Sequence, residues 1–297
     1  MNGIGINTHI PTKDDIDKVI SCGFDWIRID FNWNTIEPKR GSFKWDSLDT
    51  AISYAKSKGL KIYGTIAYVP FWLNADHRSC PDVFNWVYFC TKVAQRYNGK
   101  VDIIGLWNEP NLKQFYIGSK EDYVKIILEA GHNAIKSVNP NIQVAAGDLA
   151  TTGNSDWYDW FKLLKKHTDL FDCFMWHTYQ ENASTVISRY SIGKFPPLGW
   201  LINKWKPFSW EIDEFRKKGK RIFLTETGLK ARINKNKELK AQRDFVKDLD
   251  KIRKETKAEA VFLYDLLDHP QFKDKWGIYD DIGSPKLAAQ WLMDNKQ

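Results

Sequence analysis

The chain of 297 residues is long enough for one closed eight-fold α/β barrel, which takes roughly 250 residues, or for two or three small domains. Its composition, 43% hydrophobic and 27% charged, is that of a globular protein with a full core, and no apolar run nears the roughly 20 residues of a membrane-spanning helix. The net charge of +7 comes from scattered lysines such as those along 235–257, not from a basic stripe interleaved with stacking groups, which argues against a nucleic-acid partner.

Strand and helix signals alternate from end to end. Short β-branched or aromatic runs occur at residues 4–7, 26–31, 61–67, 103–107, 142–146, 174–177, 221–225 and 260–264. Between them lie helical periodicities with start and stop signals. Thr12 with Asp15 and Ser119 with Asp122 read as capping pairs, Gly23, Gly99 and Pro140 as stops. Pro81 is expected at the start of one helix and Ser284-Pro285 at the start of the last, with proline in the first turn. Eight such repeats without a break in composition predict a single (β/α)8 TIM barrel over residues 1–297. A doubly wound sheet is disfavoured because no Gly-rich phosphate loop follows the first strand. The one long irregular stretch, 180–208, follows the sixth run and carries Trp200 and Trp205; it is expected at the C-terminal face of the barrel.

The 14 Trp, 12 Tyr and 17 Phe supply flat apolar faces that suit either a core or the C–H side of a sugar ring. Of the four cysteines, Cys22 and Cys173 read as small core residues, and a Cys80–Cys90 bridge is open. The first strand run begins a few residues from Met1, leaving no room for a signal peptide in the chain as written. That reads as cytoplasmic, or as secreted or periplasmic if a signal was trimmed.

Active sites of this barrel lie where strands end, so the polar residues there are the candidates. The fourth run ends Trp107-Asn108-Glu109-Pro110-Asn111, the seventh Thr225-Glu226-Thr227-Gly228. Strands four and seven face one another across a closed eight-stranded barrel, so Glu109 and Glu226 can flank one cleft. Two carboxyls about 5–5.5 Å apart suit hydrolysis with retention, and a wider pair suits inversion. His9, Arg28, Tyr68, His177, Tyr179 and Tyr264 end or follow other strands, and Trp33 and Trp72 stand just beyond two of them. Each has a structural alternative: Arg28 could be a core partner of Asp30, His9 a packing histidine, Trp33 and Trp72 loop packing. Alternation places His177 and Tyr179 on one side of their strand.

At these residues the sequence resembles clan A glycoside hydrolases, in particular the family 39 type, and in outline bacterial exopolysaccharide endoglycosidases. The motifs are Trp26-Ile27-Arg28, Glu37-Pro38, Trp107 to Leu112, His177 with Tyr179, Glu226-Thr227-Gly228 and Tyr264 with Asp265. The resemblance implies Glu109 as acid/base and Glu226 as nucleophile. It further implies that Asn108 meets a sugar hydroxyl, that Arg28 and Tyr179 bond the nucleophile, and that His177 lies near the acid/base. Two features depart from the pattern: Tyr264 stands where a Trp platform is usual, and the chain has no room for an added β domain. The implied activity is retaining hydrolysis of O-glycosidic bonds of an oligo- or polysaccharide by double displacement, expected to be endo-acting, with no metal and no cofactor. An inactive sugar-binding barrel and a transglycosylase use the same residues and stay open. Nothing here sets the oligomeric state, and a monomer is compatible.

Overall fold

The computed structural model describes residues 2–152, 156–194 and 205–296. Eight parallel strands close in sequence order: β1 Ile4–Asn7, β2 Trp26–Asn32, β3 Lys61–Ala67, β4 Ile103–Leu106, β5 Gln143–Ala150, β6 Cys173–His177, β7 Arg221–Thr227 and β8 Ala260–Leu263. Helices return the chain outside the barrel, so each strand is buried on both faces and reads as a near-continuous apolar run. No helix among the described residues is long and apolar enough to cross a membrane.

Helix starts follow local chemistry where a capping box is present. The Thr12 and Ser119 hydroxyls accept from the Asp15 and Asp122 amides, and each aspartate reaches back to the cap backbone. Three expectations differ. Pro81 precedes the N-cap, which is Asp82. Pro285 is still extended, bridging Tyr279, so the last helix begins at Leu287. Within 180–208, residues Ala183–Ser191 form a helix capped by the Asn182 side chain, and another begins at Phe208. All four cysteines are free thiols, so Cys80 and Cys90 are not bridged.

Inside the barrel, Trp26, Tyr63, Ile103, Ala145, Cys173, Met175, Phe223, Ala260 and Phe262 form an apolar plug. Two residues further along the strands the inward positions turn polar: Arg28 follows Trp26, Thr65 follows Tyr63, His177 follows Met175 and Thr225 follows Phe223. The period of two therefore stacks a polar layer on an apolar one, towards the C-terminal mouth.

Two irregularities complete that layer. The β5–β6 register shifts between Ala146 and Leu149, around Gly147 at φ 107°, where a Cβ would strike the Met175 carbonyl. This bulge carries Asp148 into the barrel. The β6–β7 and β7–β8 registers shift as well, pairing His177 with Glu226. Thr225 and Glu226 then both reach the polar layer despite being neighbours.

Candidate active site

Arg28 is the hub. It is buried on β2, and its guanidinium spends its donors on five side chains. Nη1 donates to Glu226 Oε1 at 2.5 Å and Asn7 Oδ1 at 2.9 Å. Nη2 donates to Asn108 Oδ1 at 2.8 Å and Asp148 Oδ2 at 3.4 Å, and Nε to Thr65 Oγ1 at 3.1 Å. Its ion pairs are thus Glu226 and Asp148; Asp30 pairs instead with His9. Tyr179 donates its hydroxyl to Glu226 Oε2 at 2.6 Å, so both oxygens of that carboxylate are held.

Glu109 is set by a different device. Beyond β4, Trp107 turns to φ 79°, with its indole wedged beside Tyr68, Trp86 and Tyr116 and donating to the Phe115 carbonyl at 3.0 Å. Glu109 itself is at φ 43°. Asn111 clamps the Ala150 backbone through both ends of its amide, at 2.8 and 3.1 Å, and the Glu109 amide donates to the Asp148 carbonyl at 3.1 Å. His9, Tyr68 and Asp148 also hold left-handed backbone, so five strained residues ring this mouth. Such strain persists only where surrounding contacts enforce it.

His177 joins the two glutamates. Its Nδ1 lies 2.8 Å from Glu109 Oε1 and 3.5 Å from Glu226 Oε2, and its Nε2 lies 3.2 Å from Asp148 Oδ1. One oxygen of Glu109, one of Glu226 and the imidazole nitrogen all fall within 4.8 Å of one another. That closeness fits the short carboxyl spacing of a retaining pair better than the wider spacing of an inverting one.

Burial pushes the Glu109 carboxyl up from its usual value and the Glu226 charge adds to this, against the pull of His177. For His177, burial opposes the proton, yet Glu226, Asp148 and Glu109 together hold its pKa up at about 9. Asp148 is fully buried too, which would raise it, but Arg28 and His177 keep it down at about 2. Burial and the Glu226 charge keep the Tyr179 phenol protonated, as a donor must be.

The remaining candidates separate. A recess of about 220 Å³ is lined by His9, Arg28, Asp30, Tyr68, Asn108, Glu109, Glu226 and Tyr264. A second cavity of about 610 Å³ is bordered by Tyr179, Trp205, Trp157, Gly228, Lys230 and Trp276. Trp33 lies in neither: it is fully buried, stacked on Phe89 at 4.8 Å, with its indole N–H on Glu37 at 2.7 Å. Trp72 packs edge-on against Trp33 and donates to the Glu37 carbonyl at 2.8 Å. Both are loop-packing residues. Trp200 lies outside the described residues.

Asp148, Asn7, Thr65 and Trp276 join the site without having been singled out from sequence. Asp148 accepts from Tyr63, Thr225, His177 and Arg28, and Gly105 leaves room for the Tyr63 hydroxyl to reach it. The rule that found Glu109 and Glu226, an acid ending an apolar strand, also fits Ala145-Ala146-Gly147-Asp148. Trp276, in the loop after β8, stands 4.8 Å from the Tyr179 ring and 6.2 Å from Tyr264. It offers an indole face close to where Tyr264 replaces the expected tryptophan.

The closed parallel barrel and the family model that the sequence matches make the protein a glycoside hydrolase of clan A. The chain belongs to the cellulase family, glycosyl hydrolase family 5, whose sequence model matches residues 1–256. It is 30% identical over 169 residues to "Probable glucan 1,3-beta-glucosidase" of Arthroderma benhamiae, an alignment covering 51% of this chain and 40% of that protein. Among solved structures it is similar to a family 39 glycoside hydrolase of Bacteroides cellulosilyticus (TM-score 0.73, 17% identity, 98% of this chain and 62% of that one). It is also similar to native xylanase 10B of Thermotoga maritima (TM-score 0.68, 15% identity, 98% and 93%). At these identities the likeness is one of fold. The chain thus spans less than two thirds of the curated relative and of the Bacteroides protein. The family 39 resemblance is carried by the shared barrel, and the family whose model matches is family 5 of the same clan.

Proposed function

We propose that the protein is a retaining glycoside hydrolase cleaving internal O-glycosidic bonds of an oligo- or polysaccharide, with Glu226 as nucleophile and Glu109 as acid/base. The observation that supports it best is the charge balance of the buried site. Arg28 and His177 carry two positive charges, and Asp148 and Glu226 two negative ones, so the site is neutral while Glu109 keeps its proton. With His177 donating to Oε1, Oε2 of Glu109 is the oxygen left to carry that proton to the leaving group.

In the first step Glu226 attacks the anomeric carbon, the glycosidic C–O bond breaks, and the Glu109 proton goes to the departing oxygen. The glycosyl ester leaves Glu226 uncharged, and the ionised Glu109 restores neutrality. Glu109 then takes a proton from water, which attacks the same carbon and frees Glu226. Arg28 and Tyr179 hold Glu226 for in-line attack, and both lose an anionic partner when the ester forms. The Asn108 oxygen is occupied by Arg28 and one amide hydrogen is directed at the Tyr68 hydroxyl at 3.4 Å, which leaves the other hydrogen to meet a sugar hydroxyl beside Glu226.

Internal cleavage is supported by space beyond the recess that holds the pair: the 220 Å³ recess contains Glu109 and Glu226, and a 610 Å³ cavity is lined by Tyr179, which bonds Glu226. The name of the curated relative makes a β-glucan the first substrate to try. The test is trapping with an activated 2-deoxy-2-fluoro-β-glucoside followed by peptide mass spectrometry. The expected adduct sits on Glu226, and a label on any other residue would overturn the assignment. In Glu109→Ala, a dinitrophenyl glycoside, which needs no acid to leave, should still give a burst while oligosaccharide turnover falls at least 10²-fold, as expected for a lost general acid.

A further inference from the structure

A second cluster of titratable groups stands at the same mouth, on β2 and the segments following β1 and β8, with His9 and Asp30 lining the 220 Å³ recess. His9 Nε2 and His269 Nε2 lie 3.2 and 3.0 Å from one oxygen, Asp265 Oδ2. All three donor atoms fall within 4.8 Å of one another. The first two of these distances approach the roughly 3.3 Å between neighbouring ligands of a tetrahedral ion whose bonds are about 2.0–2.1 Å long. Two sides of the triangle are therefore already near the spacing a cation needs, and the third is no longer than 4.8 Å.

The surroundings orient each donor. Asp265 is buried, and its other oxygen takes the Leu266 amide at 2.5 Å, which turns Oδ2 towards the histidines. The second nitrogen of His9, Nδ1, is engaged by Asp30 Oδ2 at 2.8 Å. A carboxylate behind a histidine fixes the ring and makes the opposite nitrogen a better ligand, an arrangement common around protein-bound zinc. The His269 ring lies edge-on to His9 at 4.6 Å and to Phe272 at 5.4 Å, so its plane is also set by packing. Both histidines are partly exposed, which gives an ion access from solvent.

We propose that His9, Asp265 and His269 bind a divalent transition metal, with Asp30 as the outer partner of His9. Two imidazoles and one carboxylate suit zinc, cobalt or nickel better than magnesium or calcium, which take oxygen ligands. Three protein donors leave a fourth position. Because His9 and Asp30 border the recess shared by Glu109 and Glu226, that position is within reach of water or of a sugar oxygen. The proposal does not depend on the hydrolytic reading, since it concerns binding by other residues.

The test is isothermal titration of the chelator-stripped full chain with zinc chloride. One ion per chain is expected. His269→Ala, in a partly exposed loop, should abolish saturable binding, and Asp30→Asn should weaken it about 10–100-fold, as loss of an outer partner does. Glu226→Gln should leave it unchanged, because Glu226 belongs to a separate set of converging donors with Glu109 and His177. Thermal melting gives a second readout: zinc should raise the Tm of the parent protein and not that of His269→Ala. No saturable binding, binding that survives His269→Ala, or binding lost in Glu226→Gln would each overturn the proposal.

Discussion

His177 places Nδ1 2.8 Å from Glu109 Oε1, and the same ring holds Asp148 at its other nitrogen, 3.2 Å away. One buried imidazole thus ties the proton donor to the carboxylate at the centre of the polar layer, and its charge works against the burial that lifts Glu109.

That relation sets the direction of a pH shift. His177→Asn keeps a donor near Glu109 and removes the positive charge. The Glu109 carboxyl should then hold its proton to higher pH, and the alkaline fall of kcat/KM, which follows loss of that proton, should move upward. A hydrogen bond to a charged group is worth roughly 1.5–3 kcal/mol, so kcat/KM at the optimum should fall about 10–100-fold. An alkaline limb that stays put or moves down would count against the role given to His177.

Asp148 should matter for stability as much as for activity. Its folded pKa of about 2 lies below the ordinary 3.8, so its contribution is fully present above about pH 4 and is lost as pH falls through 2. The difference corresponds to roughly 2 kcal/mol. Asp148→Asn leaves Arg28 and His177 with one carboxylate fewer, and breaking a buried pair costs about 3–5 kcal/mol. Urea unfolding should show that loss at pH 7 and a narrowing gap to the parent between pH 4 and pH 2. Equal stabilities at pH 7 would sink this reading.

Trp33 and Trp276 should behave in opposite ways. Trp33→Phe keeps a ring against Phe89 but strips the donor from the buried Glu37, costing about 1–3 kcal/mol, with KM for an oligosaccharide unchanged. Trp276→Ala removes an indole face from the larger cavity and should raise KM about tenfold with little change in Tm. Here about 1.4 kcal/mol corresponds to tenfold in binding. The reverse pattern would mean that Trp33 meets the sugar and Trp276 does not.

The sequence by itself determined the eight strands, their order and the two strand-end glutamates. These are local properties: an apolar run with β-branched residues makes a strand, and closure of eight of them in order sets the fourth and seventh ends three strands apart around one mouth. Arg28, His177 and Tyr179 were legible for the same reason, each standing at or just beyond a strand end. Tertiary structure decided the rest. Asp148 enters the barrel only because the bulge at Gly147 breaks the alternation. Trp33 falls in the core rather than the cleft because the helix Val83–Tyr97 brings Phe89 against it. Trp276 and His269 come from the loop after β8, whose path is set by distant contacts. Gln242 bonds the Trp276 and Gly277 carbonyls at 3.1 and 3.2 Å, and Lys286 pairs with Asp268 at 2.7 Å. Strand periodicity is written in neighbouring residues, whereas bulges and loop paths depend on partners far away in the chain. Glu109 and Glu226, with Arg28, His177 and Tyr179 beside them, could therefore be read from the sequence, while Asp148, which pairs with both Arg28 and His177, could be assigned only within the fold.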